Sequence, residues 1–201
     1  MTTTTEISIP LKGVQLEGEL DLPSDAIGLV LFAHGSGSSR HSPRNQYVAR
    51  VLREARLGTL LFDLLTAEEE RTEAHTRHLR FNIPFLAERL VGATRWALDE
   101  TTSRDIPAGY FGSSTGAAAA LVAAAELGET IGAVVSRGGR PDLAGDALDR
   151  VTAPTLLIAC SLNSLSSRTS LKASSGSMPS RSDASNTLPA IPAVMPYLVE
   201  Y

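Results

Sequence analysis

The chain of 201 residues reads as an α/β protein with a mainly parallel sheet and helices on both faces. Three observations predict this. Apolar runs rich in β-branched residues alternate with helical patterns, the rhythm of βαβ units. Runs such as 27–33 (IGLVLFA) and 131–136 (IGAVVS) are continuously apolar, as strands covered on both faces must be. Glycine-rich or charged loops follow these strands, at the carboxyl edge where open α/β sheets bind ligands.

Taken in order, residues 5–22 alternate loosely about Lys12-Gly13 and predict an antiparallel hairpin at the sheet edge. The buried strand 27–33 opens into His34-Gly35-Ser36-Gly37-Ser38-Ser39. Ser42-Pro43 caps a helix to about residue 56, with Tyr47, Val48, Val51 and Leu52 on one face and Leu57-Gly58 as its stop. A second buried strand, 59–63, ends on Asp63. Residues 64–80 read as a long charged connection. The segment 82–98 carries Ile83, Leu86, Leu90, Ala93, Thr94 and Ala97 at helical spacing, with Pro84 in the first turn. An apolar run then reaches Gly112-Ser113-Ser114-Thr115-Gly116 and passes straight into an alanine-rich helix pattern. Strand 131–136 leads into Arg137-Gly138-Gly139-Arg140-Pro141-Asp142. A short helix near 145–150 and a strand at 154–159 follow.

Composition narrows the function classes. Hydrophobic residues make up 43% and charged residues 20%, ordinary for a soluble globular protein. A net charge of −4 gives no reason to expect nucleic acid or an anionic membrane as partner. Cys160 is the only cysteine, so no internal disulfide is expected, in keeping with a reducing cytoplasm. The start, MTTTTEISI, lacks the basic and apolar regions of a signal peptide. No apolar run approaches the roughly 20 residues that span a bilayer. The expectation is a soluble cytoplasmic protein with one domain over 1–159.

The stretch Gly112-x-Ser114-x-Gly116 carries the chemistry. Between a strand and a helix, this spacing is that of a nucleophile elbow. A central serine on a strained turn lifts its hydroxyl above the sheet. Glycines two residues to either side remove Cβ atoms where strand and helix meet. Ser114 is the candidate nucleophile. The same pattern is also found in plain glycine- and serine-rich loops ahead of helices.

Five segments together, FAHGSGSSRHSPRN, LLFDLLT, GYFGSSTGAAAAL, VVSRGGRPDLAG and APTLLIA, resemble the dienelactone-hydrolase-like branch of the α/β-hydrolase superfamily. The resemblance runs from about residue 5 to residue 159. It implies hydrolysis of an ester or lactone through an acyl-enzyme, a small-molecule substrate, and no metal or organic cofactor. Members of this branch also occur joined to a phosphoribosyltransferase, a domain not read in these residues. Dienelactone hydrolases proper carry cysteine at the nucleophile position, where this chain has Ser114. The backbone N–H of Thr115 supplies one oxyanion donor. Ser36 is the best position for the second, with Gly35 beside the substrate. His34 is expected to brace its loop, with general base as its alternative role.

The expected base does not follow. The superfamily order is nucleophile, acid, histidine, yet His34, His41, His75 and His78 all precede Ser114. His75 and His78 sit in the 64–80 connection, where they read as a charged surface loop, or as one face if that segment is helical. Asp142 is the candidate acid, with helix capping as its alternative role. Asp63 reads as loop-orienting. Arg137 and Arg140 either steer an anionic substrate or belong to a solvated loop. Residues 160–201 are about a quarter serine with scattered proline and lack periodicity. They read as a low-complexity tail, either a flexible extension or out-of-frame translation, and leave the predicted fold C-terminally incomplete. An uncovered sheet edge would then favour homo-oligomers. Three functions remain side by side: a serine hydrolase impaired by the missing acid and histidine, a non-catalytic binding module of the same fold, and an acyltransferase.

Overall fold

A computed structural model describes residues 4–100 and 106–159; the tail read over 160–201 lies outside them. A seven-stranded sheet runs through these residues. Strands β1 (Thr5–Leu11) and β2 (Val14–Asp21) form the expected antiparallel hairpin, turned at Gly13 with φ 81°. A positive φ of this size costs glycine nothing and costs other residues steric strain. The parallel strands are β3 (Leu29–Ala33), β4 (Gly58–Phe62), β5 (Ala108–Ser113), β6 (Ile131–Arg137) and β7 (Thr155–Ile158). Their order is β1-β2-β4-β3-β5-β6-β7, with β2 antiparallel to β4 and all later pairings parallel. Among the described residues no strand pairs with the far edge of β7.

Each central strand divides its side chains between two cores, which explains the unbroken apolar runs. Leu29, Leu31 and Ala33 of β3 face one core, while Val30 and Phe32 face the other. The first core is closed by α3 (Ile83–Glu100) and α4 (Thr115–Leu127), the second by α1 (Pro43–Glu54). Small residues let the layers approach. A Cβ on Gly92 of α3 would lie 2.8 Å from Leu11 Cδ2 of β1. Across the first core, Thr94 Oγ1 donates to the Leu90 carbonyl and meets the Tyr110 hydroxyl at 2.7 Å.

The predicted helix ends shift in detail. Helix α1 stops at Glu54, and Arg56 takes the left-handed turn at φ 61°. Ser42 stands at its N-cap, but its side chain makes no capping bond, and Pro43 starts the helix. Tyr47, read as core-facing, is exposed, and Asn45 is buried in its place. The predicted helix near residue 145 is a 3-10 segment, Pro141–Arg150, broken at Gly145.

The largest departure is the connection after β4. Residues 64–80 contain helix α2 (Ala67–Thr76), closed by a capping box in which Thr66 Oγ1 accepts from the Glu69 N–H and the Glu69 carboxylate accepts from the Thr66 N–H. The Thr-x-x-Glu spacing was the available sequence signal. Helix α2 ends at Thr76 with Arg77 left-handed, so His75 and His78 do not share a helical face. Two ion pairs fix this excursion. Arg89 of α3 grips Glu69 with two bonds of 2.6 Å and donates to the Leu64 carbonyl at 2.9 Å. Fully buried Glu73 accepts from the N–H groups of Leu79 and Arg80 and from Arg80 Nε at 2.8 Å. No described helix is long and apolar enough to cross a membrane.

Candidate active site

Strand β5 ends at Ser113 and α4 begins at Thr115, so the whole reversal falls on Ser114. Its φ of 51° and ψ of −126° lie where an L-residue persists only when its surroundings hold it. The surroundings are visible. The Ser114 carbonyl accepts from the Ala117 N–H at 3.1 Å and from the Arg140 N–H at 3.2 Å. On the other side, the Gly35 N–H donates to Ser113 Oγ at 3.2 Å. Two loops, one after β3 and one after β6, therefore clamp the turn. The glycines that flank Ser114 permit its packing. A Cβ on Gly112 would lie 2.5 Å from Ala117 Cα, and one on Gly116 would run into the Ala33 and His34 carbonyl oxygens.

Serine is a favoured N-cap, but the Ser114 side chain makes no capping bond to α4. Its hydroxyl stands beside Gly35, where an added Cβ would come within 2.7 Å of Ser114 Cβ and 3.5 Å of its Oγ. Thr115 provides the first of the backbone N–H groups that a helix leaves without an intrahelical acceptor. Ser36 faces it across the site, with Ser36 Oγ 3.3 Å from Thr115 Oγ1. Ser36 and Thr115 line one narrow cleft together with Leu64, Leu65, Leu86 and Arg80; it encloses about 290 Å³, part of it open to solvent. The α2 excursion thus forms a wall of the site.

His34 is engaged at both ring nitrogens. Nδ1 lies 3.1 Å from the Gly35 carbonyl and Nε2 accepts from the Leu64 N–H at 3.2 Å. This pattern fits the tautomer with the proton on Nδ1. Asp63 lies 3.7 Å from Nε2 and instead accepts from the Arg40 N–H at 2.8 Å and from the Arg40 guanidinium. Both residues tie the 34–40 loop to the end of β4. The other histidines are exposed: His41 pairs with Glu19 at 3.1 Å, and His75 bonds the Arg71 carbonyl. Among the described residues no histidine hydrogen-bonds Ser114.

The loop after β6 reaches the elbow through its backbone. Asp142 is exposed, and Arg140 binds its carboxylate with three contacts of 2.6–3.1 Å. That guanidinium holds the carboxyl below the usual carboxylate range. Arg137 ends β6 with its guanidinium 5.9 Å from the Phe111 ring centre. The structure therefore brings Gly35, Ser36, Ser114 and Thr115 together, and places the side chains of Arg137 and Asp142 in other company. Sequence reading missed Arg80 and the leucine pair Leu64-Leu65 as walls of the cleft, because they arrive on a connection whose path over the site no local signal reports. No described group of three histidine, cysteine or acidic side chains is arranged to hold a metal ion.

Comparison with known proteins agrees with this architecture. The crystal structure of a dienelactone hydrolase from Anabaena variabilis matches with a TM-score of 0.76 and 59% identity, covering 79% of this chain and 73% of that one. An esterase of Pyrococcus furiosus, 15% identical with a TM-score of 0.58 over 78% of this chain and 69% of its own, shares the fold. Two Mycobacterium tuberculosis proteins, provisionally named phosphoribosyl transferases, are 56% identical over 153 residues, 76% of this chain and 34% of each of them. The chain thus spans about a third of the length of these curated relatives. No family model matches it. With its sheet order, its strained serine turn and this level of identity to a solved dienelactone hydrolase, the chain belongs to the dienelactone-hydrolase family of α/β hydrolases.

Proposed function

We propose that the chain is a serine hydrolase of carboxylic esters or lactones that acts through an acyl-enzyme at Ser114. One observation carries this reading: Ser114 is held at positive φ between β5 and α4 with its hydroxyl left out of the helix cap. In the proposed reaction Ser114 Oγ attacks the carbonyl carbon and its proton passes to solvent water, since no described histidine is bonded to it. The carbonyl oxygen gains the negative charge and is met by the N–H groups of Thr115 and Ser36, near the positive end of the α4 dipole. The bond to the alcohol oxygen then breaks, the alcohol leaves with a proton, and water releases the acid from the ester of Ser114. Gly35 borders the acyl carbon. The exposed carboxylate of Asp142 is engaged by Arg140, so geometry lends it less support as an orienting acid. Arg137 stacks near Phe111 at the rim. The phosphoribosyl transferase name of the M. tuberculosis relatives describes longer proteins, and the elbow supports acyl chemistry rather than that transfer.

A second reading, a binding module of the same fold, is favoured by the engagement of both His34 nitrogens and by the exposed positions of His41, His75 and His78. Without an adjacent base, an oxyanion site and binding alone leave a rate about 10³–10⁴ above water. A fluorophosphonate probe separates the two. The hydrolase reading expects slow labelling of Ser114, abolished in Ser114→Ala and accelerated by added imidazole, with matching turnover of short p-nitrophenyl esters. Folded protein that stays unlabelled at every imidazole concentration selects the binding module.

A further inference from the structure

Of the chain's four histidines, His34 alone is sheltered, its side chain 10% exposed, and the proposed reaction does not use it. Its ring joins two segments. Nδ1 lies 3.1 Å from the Gly35 carbonyl in its own loop, and Nε2 accepts from the Leu64 N–H beyond the end of β4 at 3.2 Å. Only one protonation state serves both contacts. The neutral ring with its proton on Nδ1 donates to Gly35 and accepts from Leu64. A second proton, on Nε2, would point one N–H at another, and the Leu64 bond would be lost.

Imidazole takes up that proton between about pH 8 and 5. The nearest carboxylate is Asp63, whose Oδ1 lies 3.7 Å from Nε2, beyond hydrogen-bond range. Asp63 is also occupied, since it accepts from the Arg40 N–H at 2.8 Å and from the Arg40 guanidinium. Other charges stand around the ring. Glu70 of α2 and Arg80 line the cleft with it, and Glu17 of β2 shares the wall of a neighbouring cavity with His34, Arg40 and Asp63. The three carboxylates attract a proton and the two arginines oppose it. Among the described residues none of these groups bonds Nε2, so an imidazolium gains a partner only by moving.

We infer that His34 is a positioning residue whose protonation releases the 34–40 loop: the closed loop holds the neutral ring, and the imidazolium forms only as the ring leaves Leu64. Reaching Asp63 would compete with the Arg40 N–H, the other tie between this loop and the end of β4. The loop carries Ser36, and Leu64 and Leu65 stand in the same cleft. The effect on the reaction rests on the oxyanion role proposed for Ser36; the release itself does not. Since one proton separates the two forms, each pH unit below the titration of the freed ring raises the open population by up to about tenfold.

The test follows hydrogen exchange of the Leu64 amide in the full chain from pH 8 to pH 5, each rate divided by its intrinsic value at that pH. NMR follows the His34 ring nitrogens over the same range. Leu64 protection is expected to fall at least about fivefold, in step with proton uptake at Nε2, while the amides of β3 keep theirs. In His34→Gln, whose side-chain oxygen can replace Nε2 as acceptor and does not titrate, Leu64 protection should stay level. An imidazolium that forms with Leu64 protection unchanged, or an equal fall in both proteins, overturns the proposal. Should His34→Gln fail to fold, the parent protein's Leu64 and ring data decide it alone. Fluorophosphonate labelling reads the consequence at Ser114. The ratio of parent to His34→Gln rates cancels their shared dependence on hydroxide and should fall below one at pH 5. A general base at His34 would instead bring that ratio down to one from far above it, and would overturn the positioning role. A Ser114 that never labels counts against the hydrolase reading, and the Leu64 measurement then decides the release without it.

Discussion

Ser114 is held in a conformation that glycine would adopt without strain. Residues in such regions store about 1–3 kcal/mol, and the extra chain entropy of glycine returns about 0.5–1 kcal/mol of that. Ser114→Gly is therefore expected to lose all fluorophosphonate labelling while its urea midpoint stays level or rises. A midpoint well below that of the parent protein would contradict a strained serine. Gly116 makes the opposite prediction. A Cβ there would strike the Ala33 and His34 carbonyl oxygens, both backbone atoms that cannot swing aside. Gly116→Ala should lower stability by about 1–3 kcal/mol or more and slow labelling as well, measured by urea unfolding and probe kinetics. These positions were legible in the sequence because the elbow is a local device: its spacing encodes its shape. The state of His34 was legible only in part. Its bracing role follows from its place in a glycine-rich loop, but its Nε2 partner, the Leu64 N–H, comes from 30 residues away.

At the scale of elements, the α2 excursion is a polar structure held by buried charge. Burial by itself would raise the Glu73 carboxyl, but Arg80 and the N–H groups of Leu79 and Arg80 more than offset it and hold it down to about 2, against an ordinary 4.5. A carboxyl with a depressed folded value contributes stability that is complete above about pH 4.5 and is lost as the pH falls toward 2. Unfolding midpoints should accordingly fall on acidification through that window. Glu73→Gln leaves several donors facing an amide, so it should be destabilised at pH 7, with its gap to the parent protein narrowing at low pH. A gap independent of pH would mean that the Glu73 charge contributes nothing. Sequence reading left this segment as a charged surface loop or a helix because charge density dominates it, and a helix stabilised by ion pairs has no apolar stripe to announce it. Helix α3, by contrast, was plain from its apolar spacing, since packing rather than pairing holds it.

For the whole molecule, the two cores divide at the sheet, and the sheet is deepest at β3 and β5. Amide hydrogen exchange should be slowest in these strands and in the alanine-lined α4, and fastest in β1 and β7, where one strand edge lacks a described partner. Uniform protection across the sheet would argue against this layering. The layering was legible from strand hydrophobicity; the strand order was not, since β4 pairs with both β2 and β3 and no local signal reports that neighbour. The clamps on the serine turn come from the loops after β3 and β6 and from the first turn of α4. None borrows a side chain from β1, β2 or β7, but the loop after β6 is itself tied to β7, where the Gly138 N–H donates to the Ile158 carbonyl at 2.7 Å. The clamp after β6 is thus only as firm as its seat on β7. A substitution that loosens β7 should therefore disturb the serine turn from a distance, through backbone alone.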